Sequence, residues 1–211
     1  MKKRYLLIAL LSSFFFQSQA QPVKTSDQLQ PVNRNVQSGK DKNRRTIVHL
    51  DARPGAGIAW IKGTRFATGI IEADIKGKNV LQESFVGIAF HGVNDTIYEA
   101  VYLRPFNFKA KDKQRQQHSV QYIVLPGFDW AYLREKFPGR YESGLLTATD
   151  PDAWVHLKIV VTKDTFRVFI NEDAQPCLTI KRLAHHHSGK IGYWVGNGSD
   201  GDFANLKIQN K

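Results

Sequence analysis

The sequence predicts an all-β protein, an antiparallel sandwich or barrel, and three observations carry that expectation. From Thr46 onward, short runs rich in Val, Ile, Phe, Tyr and Trp are separated by Gly, Pro, Asn and Asp, the residues that punctuate strands. Within several runs apolar and polar residues alternate with a period of two, as in Thr68-Gly-Ile-Ile-Glu-Ala-Asp-Ile-Lys76. Helical patterning is confined to one brief stretch, Phe128 to Lys136.

The first twenty residues place Lys2, Lys3 and Arg4 before an apolar run from Tyr5 to Phe16 and end in Ser18-Gln19-Ala20. Those features predict a cleavable signal peptide over 1–20; the run is too short for the ~20 residues that span a bilayer. The expected location is secreted or periplasmic, with no membrane span, and no cysteine near the cleavage point suggests a lipid anchor. Residues 21–45, rich in Gln, Ser, Asn, Pro and basic groups, read as a flexible basic leader. Residues 46–211 read as one domain, long enough for a substantial core.

Within that domain the runs near 46–50, 57–62, 68–77, 85–91, 96–104, 118–125, 154–162, 165–171, 177–182, 190–196 and 202–208 are expected strands, eleven in all. Lys163-Asp164 joins two alternating runs as a tight hairpin, and Asn197-Gly198-Ser199-Asp200-Gly201 supplies residues that tolerate positive φ. The single cysteine, Cys177, sits in an apolar segment and reads as a small buried hydrophobe.

Alternation also assigns faces. Ile71, Ala73 and Ile75 share one face; Val86, Ile88 and Phe90 another, leaving Gly87, Ala89 and His91 on the reverse with room above the two small residues. In Thr96–Arg104, Glu99 falls with Val101 and Leu103, and Arg104 with Tyr98, Ala100 and Tyr102. Either Glu99 is a buried carboxylate or the strand is bulged.

The segments GIAWIKG, GIIEADIKGKN, FVGIAFHG, YEAVYLRPFNF, HSVQYI, WVHLKIVVTKDTFRVFIN and GKIGYWVGNGSDGDFANLKI together resemble the concanavalin A-like lectin/glucanase superfamily. The likeness is strongest to bacterial secreted domains of the 3-keto-disaccharide hydrolase group. The resemblance implies a jelly-roll of two antiparallel sheets with a carbohydrate site on the concave face. Laminarinase-like members resemble one another in an E-x-D-x-x-E strand, whose two glutamates must stand about 5 Å apart for a retaining mechanism. Here the run is Glu72-Ala-Asp74-Ile-Lys76-Gly77, so the third carboxylate is missing and ordinary glucanase chemistry is disfavoured.

Candidate site residues lie between 85 and 131. Glu99 and His91 are the candidate catalytic pair, since a carboxylate held by a guanidinium stays ionised and serves as a base or orients hydroxyls. Arg104, Asn107, Gln121, Tyr122 and Trp130 are the candidate substrate contacts, supplying polar groups for vicinal hydroxyls and rings for sugar C–H faces. Phe128, Trp130, Tyr132, Phe137 and Tyr141 crowd one loop that suits a lid or stacking platform.

His185-His186-His187 reads as an exposed turn, because consecutive residues point in opposite directions and do not close on one ion. Asp202, with Asp200, is a weak candidate for structural calcium, and no other cofactor is expected. The mature chain carries 27 Lys+Arg against 19 Asp+Glu. Attraction to an anionic polysaccharide fits that excess. No recognition helix or RNA-binding motif appears, so nucleic acid is not an expected partner. Neither a phosphate-binding glycine loop nor a G-x-S-x-G elbow is present.

The leading expectation is an exported carbohydrate-binding sandwich. The alternatives are a keto-glycoside hydrolase or lyase and a non-catalytic surface interaction module.

Overall fold

A computed structural model describes residues 25–211. The expected signal peptide lies outside the described residues. Among the described residues, fourteen strands form two antiparallel sheets of seven. One sheet holds, in spatial order, β1(Leu29–Val32), β4(Gly57–Phe66), β13(Gly189–Val195), β6(Val86–Gly92), β7(Tyr98–Leu103), β8(Val120–Leu125) and β9(Glu142–Ser143). The other holds β12(Leu178–Lys181), β11(Thr165–Ile170), β10(Val155–Val161), β5(Gly69–Lys76), β14(Gly201–Asn210), β3(Thr46–Leu50) and β2(Val36–Lys40). This is an antiparallel jelly-roll β-sandwich. Each of the eleven expected runs is a strand, to within a few residues at its ends. Thr162 N–H donates to Thr165 O at 2.8 Å, closing the hairpin at Lys163-Asp164.

The sandwich interior is built from the alternating faces. Ile71, Ala73 and Ile75 of β5 and Leu157, Ile159 and Val161 of β10 face Val86, Ile88 and Phe90 of β6 and Val101 and Leu103 of β7, all buried. Rings interlock between the sheets: Phe90 meets Phe166 edge-on at 6.1 Å, Tyr122 meets Phe166 at 4.6 Å, and Tyr193 stacks on Phe203 at 4.6 Å.

The two sheets differ in their outer faces. In β5 and β10 every second residue is partly exposed, as for a sheet with one face in water. In β6 and β7 every residue is buried. The reverse of the β6–β7 sheet is therefore covered as well, by its own aromatic side chains and by the long excursion from 104 to 145. That excursion carries α1(Lys113–Gln116) and α2(Trp130–Lys136), the second being the expected helical stretch.

The flexible leader expected over 21–45 needs correction over 25–45, the part that lies within the described residues. Within it, β1 pairs with β4 and β2 with β3, at the edges of opposite sheets. Arg34 pins the crossing between them: buried, it donates Nη2 to Gly55 O at 2.7 Å and Gly196 O at 2.8 Å. Strand β2, Val-Gln-Ser-Gly-Lys, is held by backbone pairing with little apolar burial, which is why composition conceals it. Cys177 is half-buried, and burial pushes its thiol up to about 11.

Candidate functional site

A cavity of about 550 Å³ opens on the covered face of the β6–β7 sheet. Its apolar wall follows from strand alternation. Tyr102 of β7 and Trp194 of β13 project to this side across Gly87, with ring centroids 4.8 Å apart, and Phe85 meets Tyr102 and Phe106 edge-on. Gly87 is demanded by this packing: a Cβ there would lie 2.1 Å from Val101 O and 2.5 Å from Tyr102 Cα. The space expected above Gly87 and Ala89 is thus filled by Tyr102 and Trp194, and the cavity lies beside them.

The polar wall comes from the 104–145 excursion. Arg104 follows Tyr102 on the same face, is almost fully buried, and donates Nη2 to Tyr102 Oη at 3.0 Å and Nη1 to His118 O at 3.2 Å. Its guanidinium lies over the rings of Tyr102 at 5.2 Å and Trp130 at 5.8 Å. Asp129 caps α2 by accepting from Tyr132 N–H at 2.8 Å, which sets Trp130 as the first helical residue at the cavity edge. Trp130 is 48% exposed, and Arg134 one turn on covers its ring at 5.1 Å.

Beneath these groups Glu142 of β9 is buried. Arg134 grips it with Nε at 3.0 Å and Nη2 at 2.6 Å, and Arg104 Nη1 lies 3.6 Å away. His118 Nδ1 sits 2.8 Å from Glu142 Oε2, bent out of hydrogen-bond alignment, so that contact is electrostatic. Burial pushes the Glu142 carboxyl up, but the hydrogen bonds and charge of Arg134, with Arg104 behind it, outweigh it and hold the group below its ordinary value. Burial lowers His118 against the pull of Glu142, which favours the neutral imidazole. Asn107 donates to His118 O at 3.1 Å and accepts from Arg115 Nε at 3.3 Å, so its amide positions Arg115 at the cavity wall.

The structure brings together Arg104, Asn107 and Trp130 of the expected contacts and separates the rest. Gln121 is buried, donating Nε2 to the carbonyls of Tyr122 and Tyr141 at 2.9 and 3.1 Å. Tyr122, on the opposite face of β8, points into the sandwich. Glu99 and His91, expected as the catalytic pair, have no exposed side-chain surface and do not line the cavity. Alternation alone would turn His91 outward; a bulge in β6, with His91 at φ 51°, turns it inward instead. There Glu99 Oε1 lies 2.6 Å from His91 Nδ1 and accepts from Arg182 Nη2 at 2.6 Å, while Oε2 accepts from the Tyr122 hydroxyl at 2.5 Å. His91 Nε2 faces Ala67 O at 2.7 Å, and Arg182 Nη1 reaches His187 Nδ1 at 3.0 Å. Burial raises the Glu99 carboxyl, yet the hydrogen bonds from His91 and Arg182 outweigh it, leaving it below its ordinary value. This is a satisfied internal ion network, closed to a ligand.

Asp202 lies 2.7 Å from His49 Nδ1 and Asp200 pairs with Lys78, so both carboxylates already face basic partners. Among the described residues no group of His, Cys, Asp and Glu is arranged to hold a metal.

Sequence reasoning missed Tyr102, Trp194, Phe85, His118, Arg134 and Glu142. One signal was available: alternation puts Tyr102 on the face of Arg104. Nothing local indicated that β9, two residues long, carries the carboxylate under the cavity.

Fold and site geometry define a class, an antiparallel jelly-roll β-sandwich with a ring-lined cavity on one sheet. No family model matches the chain, and no curated protein matches it. Among solved structures it is similar to the carbohydrate-binding module CBM66 from Bacillus subtilis (14% identity, 85% of this chain and 93% of that one, TM-score 0.57). It is also similar to a Bacillus subtilis protein of unknown function with a galectin-like fold (13%, 92% and 98%, TM-score 0.58). A third likeness is the GH16 protein of the Bacteroides ovatus mixed-linkage glucan PUL (13%, 82% and 84%, TM-score 0.54).

Proposed function

We propose that the protein is an exported carbohydrate-binding module that takes a saccharide in the cavity beside Trp130. The observation that carries this reading is the pairing of a half-exposed indole with hydrogen-bond donors across one open cavity. A sugar offers a C–H face to the ring and hydroxyls to Arg104, Arg115 and the polar rim. The neighbouring folds support it: the chain shares its sandwich with a protein named as a carbohydrate-binding module. A broad glycan array followed by calorimetry on the chain from Gln21 tests it. Trp130→Ala should weaken the best ligand about tenfold while leaving the melting temperature unchanged, because the ring is half in solvent. If no glycan binds, the reading falls and a surface interaction module takes its place.

A second reading, a glycoside-processing enzyme of the 3-keto-disaccharide hydrolase kind, rests on His118. A neutral imidazole beside a buried carboxylate at a cavity wall suits a general base. Turnover of 3-keto-disaccharides that disappears in His118→Ala supports it; binding without turnover removes it.

A further inference from the structure

We infer that the cavity selects a saccharide bearing an anionic group, a uronate or a sulfate ester, through Arg104, Arg115 and Arg134. The inference rests on the glycan reading above and adds the ligand's charge. Three guanidiniums border the cavity, and two of them, Arg134 and Arg104, share one carboxylate, Glu142 beneath the floor; Asp129 caps α2 and forms no ion pair with any of the three. Arg115 forms no ion pair among the described residues, so the cavity wall carries more guanidinium than carboxylate.

The spare charge has donors to deliver it. Arg134 spends Nε and Nη2 on Glu142, and Arg115 spends Nε and Nη2 on Asn107 Oδ1 and Phe106 O. Arg104 spends both terminal nitrogens on Tyr102 Oη and His118 O. Arg115 Nη1, Arg134 Nη1 and Arg104 Nε donate to nothing among the described residues. Their carriers are held in place by these other bonds, and Arg104 and Arg134 also by stacking on Trp130, so an incoming anion meets donors already oriented. A neutral sugar leaves the excess charge half-buried and unanswered. A carboxylate or sulfate neutralises it and accepts charge-assisted bonds, which are about twice as strong as neutral ones.

Binding of trigalacturonate, its methyl ester and a sulfated trisaccharide to the unmodified chain provides the test without any variant. An anionic form should bind about tenfold more tightly than the methyl ester, and the margin should shrink as salt rises from about 20 to about 500 mM. Arg115→Gln and Arg134→Gln should each erase most of that margin while changing methyl-ester affinity less. Preference for either the uronate or the sulfate supports the inference and identifies the anion. Equal or tighter binding of the methyl ester, or a margin untouched by both substitutions, overturns it. If only neutral glycans bind on the array, the charge selection is wrong and the glycan reading stands. If none binds, both fall.

Discussion

At the residue scale, the decisive contrast is between two buried glutamates. Glu99 and Glu142 each lie under a guanidinium and each is held below the ordinary value of 4.5, against the effect of burial. Glu142 sits behind the cavity wall; Glu99 is sealed between the sheets with Arg182, His91 and Tyr122. Burial, reinforced by the neighbouring carboxylate, pushes the Tyr122 phenol well up, so it remains a donor to Glu99. Glu99→Gln leaves Arg182 without its counter-charge, and breaking such a pair costs about 3–5 kcal/mol. Urea unfolding should show that loss, while the folded variant still binds glycan at near wild-type affinity. Abolished binding with intact stability would return Glu99 to the site. A pH dependence follows from the same two groups. Both carboxyls are lowered in the folded state, so their stabilisation is complete above the unfolded value of 4.5 and is lost as pH falls below it. Melting temperature should decline on acidification below about 4.5, and Glu99→Gln should flatten that decline. An unchanged acid slope in the variant would contradict this assignment.

At the element scale, the site depends on the close approach of β6, β7 and β13. Gly87 lets Tyr102 and Trp194 lie flat across β6, and the bulge that follows sends His91 inward. Gly87→Val should cost about 1–3 kcal/mol through overpacking, and because the atoms it meets include backbone, the cost is not relieved by a rotamer change. Tyr102 must shift, so glycan affinity should fall as well, readable by calorimetry beside a melting curve. Retained affinity would mean that the Tyr102 wall takes no part in binding. Eleven strands were legible because runs rich in Val, Ile, Phe, Tyr and Trp are bounded by turn residues; β1, β2 and β9 lack such runs. The bulge was not legible, since it arises from the mismatch of β6 with β13, and the sequence of β6 alone reads as regular.

At the scale of the whole molecule, the sheets are closed at their edges by the segment expected to be flexible. Residues 29–40 supply one edge strand to each sheet, with Arg34 buried at the crossing. A chain beginning at residue 46 should therefore melt at lower temperature and self-associate, because β3 and β4 are left as bare edges. Size-exclusion chromatography and a thermal melt of that truncation check it; a stable monomer would restore the leader reading. Arg34 stood out only as one basic residue in a polar stretch. Its three carbonyl partners, one of them 162 residues away, are invisible to any local pattern.

Alternation, turn residues and chain length determined by themselves eleven strands in succession, an antiparallel sandwich or barrel, and the face on which Arg104 and Tyr102 stand. They also singled out the aromatic loop from which Trp130 emerges. Only the tertiary structure decided what lies opposite each buried polar group. Glu99 became structural because Arg182, 83 residues away, reaches it between the sheets, and His91 because a bulge reversed its face. Local periodicity specifies a side chain's face; the compensation of a buried charge is set by long-range partners, and that compensation separates a sealed carboxylate from one at a cavity.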